Sequence, residues 1–289
     1  MRSEEEMIKL ILDEARSDER IRAVVMNGSR ADPSARRDPF QDFDIVYLVT
    51  DVAPFRRNLE WIRRFGEIMI LQTPDDRNDP PPESHPGYTY LMQFMDGNRI
   101  DLCIHPIERQ SERTRDSLTL VLLDKDGTLG PLPPPDDRDY LPRPPTERQF
   151  EDCCNEFWWL GPYVAKGLWR RQIIYPRFVL DQLMRNEMHK MLGWYVGWKT
   201  EHTKSLGGFG KYMERYLGPE LWDQYRQTYA DADLENTWRA LFAMGDLFRT
   251  VGRATAGHHG FPYPQADDER VSAHLRRVHD LPPNATELP

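Results

Sequence analysis

Residues 131–145 read PLPPPDDRDYLPRPP, and no stretch of the chain constrains its architecture more. Proline fixes φ and removes a backbone donor, so a run this dense cannot lie inside a helix or a sheet. It is polar enough to be solvated and reads as a linker between domains. The texture differs on its two sides. Before it, short apolar runs alternate with turn residues. Residues 21–26, 43–49, 67–72 and 118–123 read as strands, and 88–95 with 99–105 flank Asp96-Gly97-Asn98 as a hairpin. Residues 4–16 and 54–65 carry helical spacing. After it, residues 146–256 are rich in Leu, Met, Trp, Arg and Glu at helical spacing. Breaks at Gly161-Pro162, Tyr175-Pro176, Gly207-Gly208 and Gly218-Pro219 predict four or five helices packed as a bundle. A short helix over 267–278 then precedes a frayed tail.

Composition narrows the partners. No apolar run approaches the roughly 18 residues that a membrane helix needs. The opening MRSEEEMIKL is acidic and lacks the basic-then-apolar layout of a signal peptide, so the expected location is cytoplasmic and no membrane partner is expected. Cys103, Cys153 and Cys154 form an odd, sparse set without ligand spacing, which predicts reduced thiols rather than a disulfide framework or a zinc site. The net charge of −9 disfavours a nucleic-acid backbone as partner and favours a positively charged substrate.

The residues that carry chemistry are few. Asn27-Gly28-Ser29-Arg30 ends the first strand, Asp42-Phe43-Asp44 opens the second, and Asp101 interrupts the apolar run Ile100-Asp101-Leu102-Cys103-Ile104. Alternation puts Asp42 and Asp44 on one strand face. Two adjacent carboxylates repel unless a cation lies between them, and hard oxygen ligands suit magnesium, which shares its shell with substrate phosphates. Asp101, an acid in apolar surroundings, needs a partner. It is a third ligand of a two-metal site, a base for an attacking hydroxyl, or simply a buried acid paired to Arg99 or a lysine. Gly28 lets the backbone approach an anion closely, Ser29 adds a hydroxyl donor, and Arg30 adds charge if it turns inward. Read singly, each of these is an ordinary turn or strand-edge residue; their order on this strand pattern is what singles them out.

That order, Gly-Ser, Asp-x-Asp, then a third Asp in a strand, resembles the DNA polymerase beta-like nucleotidyltransferases. More closely, IRAVVMNGSR, QDFDIVYLV and FGEIMI, followed by FWWL, YVAKGLWR and GWYVGWK, are similar to the aminoglycoside 6-adenylyltransferases (streptomycin adenylyltransferases) over roughly residues 1–260. The resemblance implies an α+β fold. A nucleotidyltransferase domain (1–130), a mixed β-sheet flanked by helices, would be joined by the linker (131–145) to an α-helical substrate- and nucleotide-binding domain (146–289). It implies that Asp42 and Asp44 hold Mg2+, two ions in all, against ATP, and that Gly28, Ser29 and Arg30 attend the phosphates. Asp101 would be third ligand, base, or both. The acceptor would be a small cationic aminoglycoside such as streptomycin, and the reaction one that confers antibiotic resistance.

In the helical half, Lys166 of Tyr163-Val164-Ala165-Lys166 resembles a helix lysine that related enzymes direct at the triphosphate. Lys199 and Lys204 flank a polar turn and are further candidates for phosphate contact. Trp158, Trp159 and Tyr195 are candidates for stacking on the base or lining the acceptor pocket, although tryptophan at helical spacing is usually core. His202, His258 and His259 lack metal spacing and read as structural. Two other readings compete. One is a nucleotidyltransferase acting on a nucleic-acid end, which the acidic balance disfavours, or on a protein, for whose docking the short loops leave little room. The other is a non-catalytic nucleotide-binding module, which would have no use for a base beside its metal ligands.

Overall fold

In the computed structural model, which describes residues 1–77 and 86–287, the first helix starts where its cap dictates. The Ser3 hydroxyl accepts from the Glu6 amide at 3.2 Å and the Glu6 carboxylate accepts from the Ser3 amide at 2.6 Å, closing a capping box on α1 (Glu4–Ser17). The strands are β1 (Ile21–Asn27), β2 (Phe43–Val49), β3 (Ile68–Gln72), β4 (Tyr88–Phe94), β5 (Arg99–Pro106) and β6 (Leu120–Asp124). Among the described residues they form one mixed sheet in the order β3-β4-β5-β2-β1-β6. β2 and β5 are parallel and every other neighbouring pair is antiparallel.

Alternation along the central strands sorts the side chains into two faces. Phe43, Ile45, Tyr47 and Val49 pack with Met7, Ile11 and Ala15 of α1 in the main core. The Tyr47 hydroxyl donates to the Ile11 carbonyl at 2.6 Å. The opposite face carries a smaller cluster, Ala23, Val25, Val46, Leu48 and Cys103. Both faces are thus lined with apolar side chains, which is why β1 and β2 read as nearly continuous apolar runs.

The helix expected over 54–65 is broken. Two single 3-10 turns, Ala53–Phe55 and Arg63–Phe65, flank a one-turn helix α2 (Leu59–Ile62). Arg57 takes a left-handed φ of 56°, and Asn58 caps the new turn by accepting from the Trp61 amide at 3.1 Å. Packing explains the break. Phe55, Trp61 and Phe65 are all drawn under the sheet, and the Tyr90 hydroxyl bridges the bend, donating to the Phe55 carbonyl and accepting from the Asn58 amide. Between β5 and β6 lies one further short turn, α3 (Ser111–Thr114).

The chain divides into two units, Met1–Asp139 and Tyr140–Pro289. The second is helical: α4 (Glu147–Trp169), α5 (Ile174–Phe178), a π-turn (Val179–Met184) leading into α6 (Arg185–Lys199), α7 (Glu214–Gln227), α8 (Leu234–His259) and α9 (Gln265–His279). The break expected at Gly161-Pro162 does not occur, and α4 runs on through the proline. Leu275 and Val271 of α9 pack over Gly161, where a Cβ would sit 3.4 Å from the leucine. At Gly218-Pro219 the expected break is a kink, with Gly218 at φ 74°. The tail beyond α9 is pinned at its start, because the Trp169 indole donates to the Leu281 carbonyl at 3.1 Å. None of the described helices is long and apolar enough to cross a membrane. All three cysteines are free and buried.

Candidate active site

The acids meet where β2 and β5 begin and β1 ends. Parallel register sets Asp44 beside Asp101, and antiparallel register sets it beside Asn27. Asp42, two residues before Asp44, projects from the same face. Gly28 follows at φ 69°, so near that a Cβ would fall 2.3 Å from Asp44 Oδ2. Only glycine meets both conditions, and the turn therefore abuts the Asp44 carboxylate.

The electrostatics are those of crowded carboxylates. Burial pushes the Asp44 carboxyl up to about 6, with Asp101 and Asp42 adding to the shift. Burial also raises Asp42, against the pull of Arg99. Arg99 is the cation in the middle. Its Nε and NH2 donate to Asp101 Oδ1 and Oδ2 at 2.7 and 2.8 Å, and its Nε lies 3.6 Å from Asp42 Oδ2. Its hydrogen bonds to Asp101, more than the neighbouring charges, raise its own pKa.

Among the described residues no three His, Cys, Asp or Glu side chains converge as a ready metal cage. Magnesium does not need one, since it commonly takes one or two carboxylates and completes its shell with water and substrate phosphates. An all-oxygen donor set whose carboxylates crowd one another fits such an ion. Asp42 and Asp44 would hold it.

The remaining expected residues are placed as follows. Arg30 is buried and fully engaged: Nε and NH2 donate to the carbonyls of Asp42 and Gln41 at 3.1 and 2.8 Å, NH1 pairs with Glu4 at 3.0 Å, and the guanidinium stacks on Phe43. It has turned inward onto the chain itself, where it fixes the backbone that presents Asp42. Ser29 receives long hydrogen bonds from the Gln41 amide at both its carbonyl and its hydroxyl. Lys166 is exposed on α4 beside the Tyr163 ring and lines a pocket of about 460 Å3 with Trp169, Arg170 and His274. Trp159 is 61% exposed on the same helix, its ring 6.4 Å from that of Tyr163. Trp158 is core, packed edge-on against Phe157 and Phe248, which removes it as a substrate contact. Tyr195 packs edge-on against Trp198 near the end of α6, and Lys199 lies over Trp198. Lys204 is exposed in the turn that follows. His202 donates from Nδ1 to the Pro142 carbonyl and His258 stacks on Trp198.

Asn27, the first residue of the turn motif, donates to Thr119 at 3.2 Å. Gln41, which holds Ser29, is not legible as a site residue in the sequence: it is a polar residue at the end of a loop, where polar residues are ordinary. Arg99 was visible only as one possible partner of Asp101.

The family model for streptomycin adenylyltransferase matches residues 1–278. The aminoglycoside 6-adenylyltransferase of Bacillus subtilis (strain 168) is 38% identical over 270 residues, covering 93% of this chain and 95% of that protein. The protein of the same name from Campylobacter jejuni is 39% identical over 278 residues, 96% of each chain. A solved structure of an aminoglycoside 6-adenyltransferase from Bacillus subtilis is 34% identical, with a TM-score of 0.48, covering 97% of this chain and all of that one. Matched along nearly its whole length in sequence, this chain belongs to the streptomycin adenylyltransferase family and is a nucleotidyltransferase.

Proposed function

We propose that the protein transfers AMP from Mg-ATP to a hydroxyl of an aminoglycoside, the 6-hydroxyl of streptomycin, and releases pyrophosphate. The observation that carries this reading is the side-by-side register of Asp44 and Asp101, with Asp42 on the same face and the Gly28 turn against Asp44. The names of the relatives support the acceptor class.

Asp42 and Asp44 would hold the magnesium, two ions in all, which when bound would offset the charge of the triphosphate. Gly28 and Ser29 attend its terminal phosphates, and Arg30 positions Asp42 through the backbone. The acceptor oxygen attacks the α-phosphorus as the bond to the bridging oxygen of the pyrophosphate breaks. The hydroxyl proton passes to the Asp101 carboxylate, a general base's task. Alignment and charge neutralisation supply most of the rate in such transfers. In the helical domain, the exposed face of α4 that carries Trp159, Tyr163 and Lys166 suits a base and a phosphate, and Lys199, Lys204 and Tyr195 are secondary candidates. The division at Asp139 supports residues 1–130 as the nucleotidyltransferase domain, 131–145 as its linker and 146–289 as the substrate- and nucleotide-binding domain.

Incubation with ATP, Mg2+ and streptomycin, followed by mass spectrometry, tests the reading. Streptomycin should gain AMP while pyrophosphate accumulates. A gain of phosphate, or no modification across a panel of aminoglycosides, would overturn it.

A further inference from the structure

Arg99 has no task in the transfer just described, yet it is the residue most closely bound to the acids. It stands two residues before Asp101 on β5, as Asp42 stands two before Asp44 at the entry to β2; register pairs Asp44 with Asp101, and the guanidinium touches both Asp101 and Asp42, so the four side chains gather at one place. Its fork grips both oxygens of Asp101 and leans 3.6 Å from Asp42. The side chain is 39% exposed, so water can solvate the guanidinium as the pair opens, and it is releasable. A guanidinium fork matches phosphate oxygens as well as carboxylate oxygens.

We propose that Arg99 is the internal counter-ion of the site. It holds Asp101 and Asp42 while no divalent ion is bound, competes with that ion for Asp42, and turns to the phosphates of the arriving nucleotide when displaced. This rests on the reading of Asp42 and Asp44 as metal ligands. Its consequence is thermodynamic coupling. An ion arriving alone expels the guanidinium without giving it a new partner, whereas an ion arriving with a triphosphate supplies one, so each tightens the binding of the other.

Titration of the full chain with Mn2+, followed by electron paramagnetic resonance of the free ion, tests this with and without an ATP analogue bearing a methylene bridge between the α- and β-phosphates. Arg99→Met should bind Mn2+ alone roughly tenfold tighter than wild type, and the analogue should tighten that binding less than it does in wild type. Arg99→Lys should fall between the two, because it keeps the charge and loses the fork; affinity equal to wild type in Arg99→Lys would reduce Arg99 to a diffuse charge and overturn the proposal. So would unchanged or weaker Mn2+ affinity in a folded Arg99→Met, checked by circular dichroism. If Arg99→Met does not fold, the lysine variant decides alone. Asp44→Asn separates the two readings: if it binds Mn2+ as wild type does, the metal assignment itself is wrong, whatever Arg99 does.

Discussion

At the scale of single residues the site is a balance between carboxylates that repel and cations that hold them. Asp44 shows the imbalance most directly. Its carboxyl ionises near 4 in an unfolded chain but at about 6 in the fold, because burial and then Asp101 and Asp42 disfavour its charge. The folded protein therefore binds more protons than the unfolded one between those values, and stability falls as pH rises through that window. Asp44→Asn should stabilise the metal-free protein by about 2 kcal/mol at pH 8 and by nothing below pH 4, read by chemical denaturation at the two pH values. The same variant should lose turnover. Asp101 separates differently. Asp101→Asn should still bind nucleotide and acceptor in calorimetry yet transfer AMP at least about 10²-fold more slowly, with added magnesium repairing little of the loss. A variant with the wild-type rate and metal requirement would make Asp101 a structural acid, the plainest of the alternatives its sequence left open.

Secondary-structure elements show where local preference yields to packing. Capping boxes at Ser3-Glu6 and Thr146-Gln149 start α1 and α4, and such caps need only residues within one turn. The segment 54–65 has helical spacing, yet its aromatic side chains all face one core and the helix breaks to deliver them. The reverse holds at Pro162, where α4, with α9 packed over Gly161, runs on through a residue that favours a kink. The clamp between α8 and α9 has a named centre. Asp268 is fully buried and accepts from Arg249 Nε and NH2 at 2.7 and 2.6 Å, from Tyr263, and from Ser272. Removing it leaves a part-buried guanidinium without its main partner. Asp268→Ala should cost about 3–5 kcal/mol in urea denaturation, and a loss below 1 kcal/mol would show that the clamp is dispensable.

For the whole molecule, charge is the property that composition alone supplies. With a net charge of −9, the protein should attract a polycationic acceptor over distances set by a Debye length of about 8 Å at physiological ionic strength. Streptomycin affinity should therefore weaken steadily as salt rises, read by isothermal titration. Salt-independent affinity would mean that contact, not field, holds the acceptor, and it would leave the chemistry of the acids untouched.

What depends on near neighbours is legible in the sequence: most strands, the helical texture of the second half, the turns, and the shared face of Asp42 and Asp44. Each follows from a period of 2 or 3.6 residues or from a contact within one turn. Tertiary structure decided what depends on residues far apart. Parallel pairing of β2 with β5 set Asp101 beside Asp44 and brought Arg99 between the acids. Packing buried Trp158 and exposed its neighbour Trp159, and it engaged Arg30 with Gln41, Asp42 and Glu4. Local propensities differ by fractions of a kcal/mol, whereas a buried aromatic ring or a satisfied buried cation is worth several times that. Where the two conflict, the distant contact wins, and a linear sequence does not show which distant contact it will be.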